Sequence, residues 1–272
     1  MSAFRRFALG VALAGGTALA AGCAGSPPRL PEPSDGPRTA ADWVRIVSAR
    51  NDSLRTLRAD LEISWAPDGE TEPQSCRGAV SFESPGLVRL RGTSLAFFAI
   101  FDLVVAADGT VWLDLPQEKF GILGDRSDPA WDLLPLSPDR VLTALLGDPR
   151  LTPEEVAAST LERSDSLVVV SGDWGRLEIE PETGLPSRWE RGAGEVVWSD
   201  WGVRSGRATP GRTLLIDPDG GRLEVSYGRF RVDEDLPPGR FSPTIEEDRE
   251  ILTPGEGLER WSRTRINAFR TD

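Results

Sequence analysis

From Leu57 the apolar positions recur at every second residue: Leu57, Ala59, Leu61, Ile63 and Trp65 alternate with Arg58, Asp60, Glu62 and Ser64. That period puts one set of side chains on each face of a strand, so a half-buried β-strand is expected. After APDGE the alternation resumes with Cys76, Gly78, Val80 and Phe82. After Ser84-Pro85-Gly86 it continues with Val88 and Leu90 set against Arg89 and Arg91. A dense apolar run, SLAFFAIFDLVVA, passes through Asp108-Gly109 into VWLDL, a hairpin by its turn residues. Further on come SLVVV, GRLEIE, LPSRWER, GEVVWSDW, GRTLLID and RLEVSYGRFRV, separated by GDWG, PETG, GAG and DPDGG. About ten strands with next-neighbour turns result, without an internal repeat of fixed period.

Two stretches have the other period. Thr39 opens a helix on which Trp43, Val44, Val47 and Leu54 recur at three- and four-residue spacing. In the middle of the chain Ser137 can cap a helix, Pro138 suits its first position and Gly147 its stop. Thr152-Pro153-Glu154-Glu155 repeats the start signal as a capping box. The sum is an α+β fold, a meandering antiparallel sheet curved around short helices.

Such a sheet must bury its apolar face. The strand residues expected on that concave face are Leu61, Ile63, Trp65, Val80, Phe82, Leu90, Phe101, Leu103, Leu113, Ile179, Trp189, Leu223, Val225 and Tyr227. Alternation is the same whether they pack into a solid core or line a cavity. A ligand site needs a continuous apolar space of about 300 Å³ or more.

The first residues carry a different signal. Met1 to Arg6 holds Arg5 and Arg6 and no acid, and Phe7 to Gly22 is uncharged, built from small and apolar residues. That is the layout of a secretory signal, too short and glycine-diluted for a spanning helix of roughly 20 apolar residues. Ala20-Ala21-Gly22-Cys23 resembles the lipobox of bacterial lipoproteins, although Leu19 stands four places before the cysteine where three is usual. The resemblance implies a leader over residues 1–22 and a diacylglycerol thioether and N-acyl chain on Cys23. Several chains at about 0.8 kcal/mol per buried methylene hold a protein stably. Ala24 in place of Asp implies, by the sorting rule of Gram-negative cells, the outer membrane facing the periplasm. Plain secretion with cleavage after Ala20 is the alternative, and Arg5-Arg6-Phe7 is also similar to a twin-arginine signal. Pro27 to Arg38 holds five prolines and reads as the end of a tether over residues 23–38, extended at about 3.1 Å per residue.

Composition narrows the partners. The formal net charge is −12, and near −14 without Arg5 and Arg6, which disfavours nucleic acid and anionic headgroups as general partners. There is no histidine, which removes the commonest general base near neutral pH and the commonest transition-metal ligand. With Cys23 lipidated, Cys76 is the only thiol left, so no intramolecular disulfide is expected. Asp217-Pro218-Asp219-Gly220-Gly221 resembles the start of a calcium loop but lacks the closing glutamate, and it reads as a hairpin turn. Asp233-Glu234-Asp235 and Glu246-Glu247-Asp248 read as solvated charge. No nucleophile elbow, phosphate loop or zinc spacing occurs. No catalytic residue, metal or cofactor is expected, and the chain is not expected to be an enzyme.

Three segments carry a family resemblance. "LLPLSPDRVLTALLGDP" (133–149), "IEPETGLPSRWER" (179–191) and "LEVSYGRFRVDEDLPPGRF" (223–241) resemble segments of the LolA/LolB superfamily of lipoprotein carriers, in the family's order and over about residues 39 to 245. The resemblance implies an unclosed β-barrel of about eleven strands. It also implies a helical lid and an apolar cavity that shields the acyl chains of a lipoprotein or lipid. Val141, Leu142 and Leu145 would then be lid residues facing the cavity. LolB delivers cargo with an exposed leucine on a loop after its third strand; the matching stretch here, Glu83 to Leu87, is a tight turn with Leu87 the sole candidate. The domain is expected to span 39–250, followed by a tail, 251–272. In the tail Leu258, Trp261, Ile266 and Phe269 share one helical face, and Arg260, Arg263, Arg265 and Arg270 outnumber Glu259 and Asp272. Such a helix can lie on an anionic surface or dock on its own domain. A filled sheet that docks onto another envelope protein is the alternative to the carrier.

Overall fold

The computed structural model describes residues 39–66, 73–94, 98–133, 138–192, 194–217 and 220–268; the leader, Cys23, the tether, Ser137 and Phe269 to Asp272 lie outside them. Helix α1 (Ala40–Ala49) begins where Thr39 and Asp42 cap each other: the Thr39 hydroxyl accepts from the Asp42 N–H, and the Asp42 carboxylate accepts from the Thr39 N–H. It buries Ala40, Trp43, Val44 and Val47. Helix α2 (Pro138–Leu146) stops at Gly147, whose φ of 60° suits a residue without a Cβ. Helix α3 (Pro153–Ala157) starts on the expected box, with Thr152 and Glu155 exchanging hydrogen bonds of 2.8 and 3.2 Å.

Among the described residues fourteen strands form one sheet, three more than the family resemblance implies. The first six are β1 (Thr56–Ala66), β2 (Gln74–Glu83), β3 (Leu87–Thr93), β4 (Ala99–Val105), β5 (Thr110–Leu115) and β6 (Phe120–Asp125). They form an antiparallel meander. After the helices come β7 (Thr160–Arg163), β8 (Val168–Gly172), β9 (Gly175–Ile179), β10 (Pro186–Arg191) and β11 (Gly194–Ser199). A small separate hairpin, β12 (Gly202–Arg204) and β13 (Arg207–Thr209), precedes β14 (Arg212–Ile216) and β15 (Arg222–Val232). The two halves join where β15 pairs with β1, and the order runs β6-β5-β4-β3-β2-β1-β15-β14-β11-β10-β9-β8-β7. The far edges stay apart, so the barrel is unclosed. A bulge between Ala59 and Leu61 against β15 shifts the inward-facing positions of that strand from the buried Leu223, Val225 and Tyr227 to the half-buried Phe230 and Val232.

Past β15 the chain crosses the outer face of the sheet as a strap. Arg240 Nε donates to the Ser81 hydroxyl on β2 at 3.0 Å, and Arg249 Nε to the Asp114 carboxylate on β5 at 2.9 Å. The strap ends as β16 (Glu250–Leu252), which pairs in parallel with β6 and covers that edge. Helix α4 (Pro254–Ala268) follows. Leu258 is buried in the core and Arg260 stacks over the Phe120 ring at 4.8 Å, so the first turns dock on the domain itself. No described helix is long and apolar enough to cross a membrane.

Candidate functional site

The concave face gathers the residues that the period-two pattern singles out. Every strand residue named above belongs to, or packs against, a single apolar cluster. Trp65 and Phe101 are half-buried; the others are no more than 8% exposed. The occupant of the concavity is α2. Seven of its nine residues are buried: Pro138, Val141, Leu142, Thr143, Ala144, Leu145 and Leu146. Val141, Leu142 and Leu145, at helical spacing, enter the same cluster as the sheet residues. The face is therefore closed in this structure by the chain's own helix.

A few polar groups hold α2 in place. Ala144 lies in its last turn, where carbonyls run out of helical N–H partners. Three side chains of the sheet converge on that oxygen: Trp198 Nε1 at 3.1 Å, the Thr213 hydroxyl at 3.3 Å and the Tyr227 hydroxyl at 3.3 Å. Burial pushes the Tyr227 phenol up to about 12, against a smaller opposing pull from Thr213 and Arg204.

The end of α1 satisfies the next carbonyls. Asn51 Nδ2 donates to Leu146 O at 3.2 Å, and Arg50 Nη2 to Gly147 O at 3.1 Å. The Arg50 guanidinium also lies over the Trp201 ring at 5.0 Å. Desolvation pulls it down to about 10, partly offset by Asp148. A cation at a helix C-terminus complements the dipole there. The C-terminal end of α2 is thus pinned by several hydrogen bonds and its first turn by Arg126 on Asp139, while its apolar face is held by packing.

The remaining candidates resolve simply. Asp217 and Gly221 close the turn from β14 to β15, with Gly221 N–H on Asp217 Oδ1 at 2.7 Å. Asp233 accepts from the backbone of Arg55 and Thr56 and pairs with Arg207 at 3.3 Å, and Glu246 and Asp248 pair with Arg249. Arginines thus partner both acidic runs. The described residues hold no group of three carboxylate, cysteine or histidine side chains placed to grip a metal.

One residue escaped the sequence reading. Leu87, expected to be the sole exposed leucine candidate, opens β3 opposite Glu83 and is half-buried. Among the described residues the most exposed large apolar side chain lies between β3 and β4, where Phe98 is 69% exposed, ahead of Ile251, Val203 and Ile245. The signal was present: the run SLAFFAIFDLVVA is longer than one strand needs.

No protein-family model matches the chain, and no curated protein matches it in sequence. Its fold does match solved structures. A LolA superfamily protein from Nitrosomonas europaea superposes with a TM-score of 0.53 at 12% identity, over 76% of this chain and 99% of that one. A DUF1329 family protein from Desulfovibrio piger gives 0.52 at 12%, over 76% and 98%. A candidate outer membrane lipoprotein-sorting protein domain from Vibrio parahaemolyticus gives 0.52 at 10%, over 75% and 97%.

Proposed function

We propose that this chain, whose fold is LolA/LolB-like, is a periplasm-facing lipoprotein, anchored in the outer membrane through Cys23, that carries or accepts the acyl chains of a lipoprotein or lipid without catalysing a reaction. The observation that carries the reading is α2: an apolar helix occupies the concave face of the sheet, with polar contacts at its two ends, Arg126 on Asp139 and the sheet donors on Ala144, while its buried apolar side chains are held by packing. A helix so held is a plug that acyl chains can replace, since methylenes bring about 25 cal/mol per Å² of buried apolar surface to the same face. Phe98 supplies the apolar tip for exchange with a bilayer. Native mass spectrometry of the chain from fresh membrane extracts tests the reading. Bound lipid is expected, and a bare polypeptide in every preparation overturns it.

A second reading has one observation in its favour. The concave residues are almost inaccessible, as they would be in a filled core that serves only to display an outer surface to an envelope partner. It requires a protein partner whose capture is unaffected by substitutions in α2.

A further inference from the structure

The outer face of the sheet concentrates positive charge in a chain whose net charge is strongly negative. Arg58 on β1 lies directly opposite Ser81 on β2, and Ser81 directly opposite Arg89 on β3. On its other side Arg58 faces Arg231 of β15. Like charges directly opposite each other destabilise a sheet. One register step away Arg91 sits opposite Ala79, so β2 offers two small residues, Ala79 and Ser81, in a trough flanked by guanidinium groups. The strap places a further arginine there: Arg240 Nε donates to the Ser81 hydroxyl at 3.0 Å, and Arg89 Nη1 holds the Arg240 carbonyl at 3.2 Å.

The carboxylates nearby do not offset this charge. Asp102 is taken by Arg89, through contacts of 2.6, 3.0 and 3.2 Å. Glu234 pairs with Arg231 at 3.6 Å. Asp60 and Glu83, on the same face, make no ion pair with Arg58, Arg91 or Arg240, and the side chains of these three pair with no carboxylate among the described residues. Arg240 is accordingly pulled below its ordinary value by burial first, then by Arg89 and Arg58, with only Asp102 opposing. The grouped cations repel one another, and a bound anion would reverse the sign of that interaction.

We infer that Arg58, Arg91 and Arg240, grouped around Ser81 on the outer face, form a binding site for a phosphate-type oxyanion. Guanidinium forks match the paired oxygens of a phosphate group and give the strongest hydrogen bonds available to it. The same chemistry is presented by free phosphate and by the phosphate of a lipid headgroup. The site lies on the face opposite α2, so it is independent of acyl-chain carriage.

The test uses the full chain with Cys23→Ser, which removes the anchor without touching the site. Inorganic phosphate is titrated by calorimetry against chloride at matched ionic strength, and vesicles of phosphatidylglycerol are compared with vesicles of phosphatidylcholine by co-sedimentation. Saturable phosphate binding is expected, weakening about tenfold in Arg58→Gln and again in Arg91→Gln. Both substitutions remove exposed, unpaired cations, so these variants should melt no lower than the parent without phosphate. Selective binding to phosphatidylglycerol assigns the headgroup as the source, and binding to phosphate alone assigns the free ion. Phosphate that stabilises no more than chloride, or an Arg58→Gln/Arg91→Gln chain that binds as tightly as its parent, overturns the site.

Discussion

Trp198 donates its indole N–H to the carbonyl of Ala144 across 3.1 Å, tying a strand of the concave floor to the last turn of the helix that covers it. Thr213 and Tyr227 reach the same oxygen from β14 and β15, and their hydroxyls lie 3.3 Å from each other. A buried carbonyl without these donors would be left dry and unsatisfied, at a cost of about 1–3 kcal/mol. The three side chains therefore decide how readily α2 stays down.

Thr213→Val tests that lock with almost no change of shape. It removes one of three donors and is expected to lower stability by about 1 kcal/mol in urea denaturation. If α2 is a plug, the same variant takes up a fluorescent fatty acid faster than the parent. Unchanged uptake alongside the stability loss would show that the helix does not gate the interior.

Leu142 is 0% exposed at the centre of α2, and Leu142→Ala should cost about 2–5 kcal/mol through the space it vacates. The informative measurement repeats the denaturation with a long-chain fatty acid present. A ligand that enters the vacated space binds only the folded state and raises the midpoint again. A midpoint that ignores the fatty acid favours the filled-core reading.

Phe98→Ser separates delivery from folding. The ring is 69% exposed, so stability should stay within about 0.5 kcal/mol of the parent. Transfer of bound lipid to vesicles, followed by fluorescence, should fall severalfold if the ring enters the bilayer. Equal transfer rates would remove Phe98 from the pathway.

The strands that the sequence reveals are those with one buried face. β1 shows its period because Leu57, Ala59, Leu61 and Ile63 are buried while Arg58, Asp60 and Glu62 are exposed. β7, β12 and β16 carry almost no such contrast: Thr160, Glu162, Arg163, Val203, Glu250 and Ile251 are exposed, so the ladders that place these strands leave no alternation in the sequence. β6 was hidden for another reason. Its apolar pattern is interrupted at Gly121, where any Cβ would enter the Trp112 ring, a contact made in three dimensions that leaves no local period. The concave wall was legible because alternation names a face. The closure of that face by α2, the convergence on Ala144 and the arginine group around Ser81 were not, since each depends on residues more than 20 apart meeting through the sheet order.

Alkaline titration reads the lock directly, because Tyr227 is the only tyrosine in the chain. Its phenol is neutral in the folded state and pushed up to about 12 from an ordinary 10, chiefly by burial. Below pH 10 neither state ionises and the full contribution is present. Between pH 10 and 12 the unfolded chain loses the proton and the folded chain keeps it, so stability falls, by roughly 2 to 3 kcal/mol over the whole interval. Arg50, pulled down to about 10, acts in the opposite sense over the same range, so the comparison must be made with Tyr227→Phe. The parent should lose stability faster than Tyr227→Phe across that interval, and tyrosinate absorbance should appear in step with unfolding rather than ahead of it. Absorbance that rises near pH 10 while the chain remains folded would mean that water already reaches the hydroxyl, and that the carbonyl of Ala144 is not sealed under the sheet.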